Sequence, residues 1–343
     1  MAQVVLRNGR WRTRWRAGVR GIAVAIIAGA VALASRPASA DAAMPRIGFL
    51  SPNTPEASAS SIAAFRQGLR AQGYVEGTNV AVEYRYANRN FAALPALARE
   101  LVATGADVLV AHVTEASLAA RDATRTTPIV MIGVGDPVAA GLVASLARPG
   151  GNVTGSSGMN VETAGKTLAL LKEASPALER AGVLWNPGNP TFQRQLVAET
   201  QEAARALAID LRLYPMTDLD AIERSFQAMA RDRVSGVVVL PDPVAVAHAP
   251  RIAALATRAR LPSVSGLQLY ADAGGLIGYG PDTPTLFRDA ASQVAQILRG
   301  AKPASMPVSR PSRFELVVNA KAAKAIGLGI PPSLAVRADR VVE

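Results

Sequence analysis

From Arg46 onward the chain alternates short runs of β-branched residues with longer stretches whose apolar residues recur at helical spacing. That alternation marks parallel strands covered by helices, because parallel neighbours need a crossover long enough to form a helix. Arg46–Leu50, Val80–Tyr86, Val108–Ala111 and Ile129–Ile132 read as strands. Helices are expected over Ser60–Gln72, where Ile62, Phe65 and Leu69 share a face and Gly73 stops the run, over Leu94–Ala103, and from about Glu115. Pro149-Gly150-Gly151-Asn152 breaks the series, and Val153-Thr154 reads as a crossover into a second one. There strands are expected at Gly182–Trp185, Asp210–Tyr214, Gly236–Leu240 and Ser263–Ser265, with helices near Glu162–Glu173, Thr191–Ala208, Leu219–Asp232 and Ala249–Arg260. Leu276–Tyr279 and Glu315–Val318 follow as strands, with a helix from about Thr285 to Arg299 between them. A length of 343 residues accommodates two domains. The expected fold class is α/β: two doubly wound parallel-sheet lobes joined by a hinge. Lobe 1 should comprise 46–152 plus about 280–300, and lobe 2 153–275 plus about 305–343. The hinge is expected near Asn152–Gly155 and Leu276–Tyr279.

The net charge of +11 invites a nucleic-acid reading, but its placement removes most of that support. Residues 1–40 hold seven arginines and no acidic residue, leaving 30 basic against 26 acidic side chains beyond them. An Arg-rich start, the apolar run Gly21–Ala34 and the small residues Ala38-Ser39-Ala40 follow the plan of a secretory signal, with cleavage expected after Ala40. The fourteen-residue run spans only about 21 Å as a helix, short of a hydrocarbon core of about 30 Å. No cysteine is present to carry a lipid at the cleavage site. The mature chain is therefore expected in a periplasm, without a nucleic-acid partner.

Composition and spacing exclude several chemistries. With no cysteine and only His112 and His248, there are no disulfides, thiol nucleophiles or His- and Cys-rich metal sites. Gly165-Lys166-Thr167 lacks the leading glycine of a phosphate-binding loop and falls within an expected helix. Gly133-Val134-Gly135 lacks the third glycine of a dinucleotide fingerprint, and Gly155-Ser156-Ser157-Gly158 lacks nucleophile-elbow spacing. His112 has no serine partner at a readable spacing. No catalytic residue, metal or cofactor is expected.

The loops after the strands are more informative, since ligands of open α/β sheets sit beyond the carboxyl ends of strands. Ser51 and Asn53 follow the first strand, Thr114 and Glu115 the third, Asp136 the fourth, and Ser156 with Ser157 the crossover. In the second half, Asn186 and Asn189 follow the strand ending at Trp185, Asp242 follows Leu240, and Tyr279 precedes Gly280-Pro281. Hydroxyls, amides and carboxylates converging on a cleft suit a small polar ligand, with helix N-termini after Thr114 and Ser157 for an anion and Asp136 or Asp242 for an ammonium. The same residue types also build turns and cap helices.

These loops carry a resemblance. Arg46–Pro52, Phe65–Gly77, Pro128–Gly155, Val183–Pro190 and Phe314–Leu328 resemble the ABC-transporter substrate-binding family of the tryptophan/tyrosine type. The resemblance implies a type I periplasmic-binding-protein-like fold, a monomer that closes on a small molecule and presents it to an ABC permease. An aromatic or other amino acid is the leading ligand. At Thr114-Glu115 the chain departs from the small pair that family members often carry. A carboxylate opening that helix repels an anionic ligand group unless it faces away or meets a cation. The alternatives are a secreted two-domain enzyme using His112, Glu115 or Asp136, a partner of a membrane sensor, and a repressor, which would need a DNA-binding headpiece where the chain has an export signal.

Overall fold

The computed structural model describes residues 44–343, so the signal segment expected at 1–40 lies outside the described residues. The first half runs β1 (Arg46–Ser51), α1 (Pro55–Ala71), β2 (Ala81–Tyr86), α2 (Leu94–Ala103), β3 (Val108–His112), α3 (Val113–Ala123), β4 (Ile129–Val134) and β5 (Val153–Ser157). The second runs α4 (Asn160–Ala174), β6 (Arg180–Trp185), α5 (Pro190–Ala206), β7 (Asp210–Pro215), α6 (Leu219–Arg231), β8 (Gly236–Val239), α7 (Pro243–Arg258), β9 (Ser263–Ser265), α8 (Leu269–Asp272) and β10 (Ile277–Pro281). It is followed by α9 (Thr283–Leu298), β11 (Phe314–Asn319), α10 (Ala320–Ile326), α11 (Pro332–Arg337) and β12 (Arg340–Val342).

The first sheet has the order β2-β1-β3-β4-β5, all parallel. The second has the order β7-β6-β8-β9-β10-β11-β12, parallel except for the β10–β11 pair. Counted from its own first strand, the second sheet repeats the 2-1-3-4-5 order of the first. The two doubly wound lobes expected from the alternation are thus present. No helix among the described residues is long and apolar enough to cross a membrane.

The lobes divide at different points from those read in the sequence. Val153–Ser157 does not cross over; it is a fully buried strand paired with β4 at the far edge of the first sheet. The Pro-Gly-Gly-Asn turn is therefore a connection inside lobe 1, for which the turn chemistry is the same as for a domain boundary. The chain leaves lobe 1 at Gly158–Met159, where Met159 takes a φ of 49°. It returns at Asp282 and crosses once more after Ser309, which pairs with Ser156 of β5, on the way to β11. The expected hinge positions at Asn152–Gly155 and Leu276–Tyr279 fall largely in β5 and β10, and these three segments make the crossings instead.

Helix α9 completes lobe 1 although it follows the whole of the second parallel series. Its Phe287, Ala290, Ala291 and Val294 share a core with Phe49, Phe65, Val110 and Ile132. The Phe49 ring lies 5.5 Å from Phe65 and 6.3 Å from Phe287. Two helices begin earlier than the apolar spacing predicts. Thr54 caps α1 by accepting from Ala57 N, with Pro55 set at the first helical position. Asp242 caps α7 through Val244 N, and that helix carries Pro250 in its interior.

Candidate functional site

The carboxyl ends of both sheets face a cavity of about 240 Å³ between the lobes. Lobe 1 supplies Asn53 after β1, Ser60 and Ser61 on α1, His112 and Val113 where β3 becomes α3, and Phe287 on α9. Lobe 2 supplies Asn189 and Phe192 at the start of α5, Asp242 at the foot of α7, and Leu267 and Gln268 after β9. Most of the wall is apolar, with a few polar atoms placed within it, which is the usual make-up of a small-molecule site. Val113 is a β-branched residue held at a φ of 66°, a conformation that persists only where its surroundings over-determine it.

The polar atoms are unusual in what they lack. Five buried side-chain oxygens among the described residues have no hydrogen-bond partner, and three of them belong to Asn53, Asn189 and Gln268 on this wall. A buried polar atom left unpaired costs about 1–3 kcal/mol, so clustering three in one cavity points to an occupant that pairs them. The Asn189 oxygen is an acceptor by construction. Its Nδ2 donates to Asp242 Oδ2 at 3.0 Å, which fixes the other end of the amide as oxygen.

Asp242 organises the lobe 2 side. Its Oδ1 accepts from Asn186 Nδ2 at 3.0 Å and Val244 N at 2.8 Å, so one carboxylate joins the Asn-Pro-Gly-Asn loop to the start of α7. Burial pushes its pKa up, and the three donated hydrogen bonds oppose that shift. His112 packs edge-on against Phe287 at 5.0 Å, and burial lowers its pKa to about 4, so it meets the cavity as neutral imidazole.

Of the eleven residues singled out in the sequence, Asn53, Asn189 and Asp242 line the cavity. Most of the others hold the framework that shapes it. Ser51 Oγ accepts from Asn53 N, Thr114 Oγ1 accepts from Gly135 N, and Ser156 Oγ accepts from Gly133 N. Ser157 Oγ donates to the Gly135 carbonyl, and Asn186 is consumed by Asp242, Gly188 and Gln193. Asp136 caps its own turn by accepting from Val138 N and Ala139 N, both at 3.0 Å, and offers no ammonium site on the cavity wall. Tyr279 lies apart from the cavity, its hydroxyl accepting from Lys166 Nζ at 2.8 Å and its ring stacked on Phe314. Trp185 packs against the lobe 2 core.

Glu115 neither faces away nor meets a cation. Its Oε1 accepts from Phe192 N across the cleft at 3.3 Å, so a lobe 1 carboxyl sits on the N-terminus of the lobe 2 helix α5. Beside it, the Phe192 ring presses on Gly135, where a Cβ would lie 2.5 Å from the ring. The lobes are thus in direct contact. Sequence reasoning missed Phe192, Phe287, Gln268, Ser60 and Ser61. An aromatic at helical spacing reads as core, and Phe287 indeed serves core and cavity together.

A ligand-sized cavity between two repeated, doubly wound lobes, lined by strand-end loops of both, defines a two-lobed binding protein. The chain belongs to the ABC transporter substrate binding protein family, whose pattern it matches over residues 54–342. It is similar to the tyrosine-binding protein of Clostridioides difficile, 26% identical over 264 residues, or 77% of this chain and 75% of the relative. Among solved structures it resembles the ABC domain in complex with L-Trp from Streptococcus pneumonia, with 26% identity and a TM-score of 0.79 over 87% of this chain and 99% of the other. A conserved domain protein of Vibrio cholerae matches over the same shares, with 28% identity and a TM-score of 0.79.

Proposed function

We propose that this substrate-binding protein captures an aromatic amino acid in the inter-lobe cavity and delivers it to an ABC permease. The observation that carries the reading is the cavity's pairing of aromatic and aliphatic walls with three unpaired buried oxygens. An ammonium brings three N–H donors to Asn53, Asn189 and Gln268, with the Asp242 carboxylate behind them to balance its charge. Phe192 and Phe287 offer ring faces and edges to an aromatic side chain, and the Ser60 and Ser61 hydroxyls can donate to a carboxylate. The names of the tyrosine-binding relative and the L-Trp complex support the same ligand class.

The mechanism is binding without bond-making. A ligand touching both lobes favours the closed arrangement because it makes contacts there that the open one cannot offer. Export by a cleaved signal, a periplasmic location, a monomeric state and the absence of catalysis belong to this reading. Isothermal titration calorimetry of the mature chain against L-tryptophan, L-tyrosine, L-phenylalanine, glycine and a pentose tests it. Saturable heat is expected from at least one aromatic amino acid, returned chemically unchanged, and Phe192→Ala should weaken it about 5- to 100-fold, the range for a lost buried aromatic contact of roughly 1–3 kcal/mol. Binding of the pentose alone, or turnover of any of these compounds, rejects the proposal.

A further inference from the structure

Glu115 is the one acidic side chain among the described residues that reaches from one lobe to cap a helix of the other. We propose that it is a positioning residue whose proton is taken up as the lobes close, so that closure, and with it ligand affinity, weakens as pH rises. The geometry carries this. The carboxyl sits between two helix starts, its own α3 and the α5 that bears Phe192, a cavity-wall residue. Oε1 has the Phe192 N–H, while Oε2 is buried with no partner. A proton on Oε2 removes the charge from a buried site and leaves Oε1 free to keep accepting from Phe192 N.

The surroundings set the direction. Burial raises the Glu115 pKa to about 7, ahead of the lowering effect of hydrogen bonds from its own backbone and from Phe192 N. Asp242, facing it from the foot of α7, adds to the rise. His112, at the start of its own helix, is neutral across this range, and among the described residues no lysine or arginine forms an ion pair with it. When the lobes part, the contact with α5 is lost and the carboxyl regains water, which returns it toward the ordinary glutamate range. The closed form therefore holds the proton more tightly than the open form. Below the open-state pKa both forms are protonated and closure costs nothing extra. Between the two values each rise in pH opposes closure, and above about 7 the cost levels off.

The inference rests on the proposed substrate only in using binding to report closure. Titration of L-tryptophan into wild type and Glu115→Gln at pH 6 and pH 8 tests it, with Glu115→Ala to remove the contact. Wild type should bind about tenfold more weakly at pH 8 than at pH 6, a tenfold change corresponding to one unit of linked proton binding. Glu115→Gln, which keeps an acceptor for Phe192 N without the charge, should bind equally at both, and Glu115→Ala more weakly than Glu115→Gln at both. A wild-type affinity independent of pH, or a Glu115→Gln profile matching wild type, overturns the proposal. Should L-tryptophan, L-tyrosine and L-phenylalanine all give no heat with either protein, the substrate reading alone fails, and small-angle scattering of the ligand-free chains decides. A radius of gyration larger at pH 8 than at pH 6 in wild type but constant in Glu115→Gln supports the switch, and a constant radius in wild type overturns it.

Discussion

Gly135 and Phe192 meet where the lobes touch, and the contact leaves no room for a side chain. A Cβ at 135 would lie 2.5 Å and 2.6 Å from two ring carbons of Phe192, which belongs to the opposite lobe. Gly135→Ala should therefore act on closure and spare the fold of either lobe. Overpacking of this kind costs about 1–3 kcal/mol. Ligand affinity should fall about 5- to 100-fold while the unfolding temperature of the ligand-free protein stays unchanged; a fall in that temperature with affinity intact would contradict it. The same scale explains which site residues were readable. Asp136 and Asp242 each follow a strand, and each accepts from the backbone N–H two residues on. What separates them is that Asp242 also meets Asn186 and Asn189, from a loop about fifty positions earlier, at the cavity wall. No local pattern carries that meeting. Unpaired oxygens such as that of Gln268 are likewise properties of an assembled surface, invisible while the chain is a string.

Elements were more legible than their termini or their allegiance. The helix Leu94–Ala103 and the strand Ser263–Ser265 fall where periodicity put them, because apolar repeat and flanking turn residues agree there. β5 was misassigned because a short buried strand carries no alternation to show which sheet it joins. The allegiance of α9 is written in its packing. Gly68 on α1 lets the two helices approach until a Cβ there would stand 2.7 Å from Ala291 Cβ and 2.8 Å from the Arg288 carbonyl oxygen. Alanine in place of a helical glycine ordinarily gains about 0.5–1 kcal/mol of backbone propensity. Here the overlap with backbone outweighs that gain, and Gly68→Ala should destabilise the protein by about 1–2 kcal/mol net. A chemical denaturation midpoint equal to or above wild type would show that the helices part freely.

At the scale of the whole molecule the lobes are neither consecutive nor independent, since three segments pass between them and α9 lies beyond the second parallel series. A chain ended after Asp282 would keep the five parallel strands of each lobe and lose β11 and β12 together with the helix that covers Phe49 and Phe65. Such a fragment should bind a hydrophobic dye and unfold without a sharp transition, whereas a cooperative transition would mean that lobe 1 stands without α9. The order of synthesis gives this arrangement a further consequence. Lobe 1 is begun first, yet its core cannot close until residues 283–298 have been made, after the five parallel strands of lobe 2. Contacts between β1 and α9 join the two ends of the chain, and such pairings form slowly. The export proposed above would gain time from this wiring, since β1 waits for α9 before its core can close.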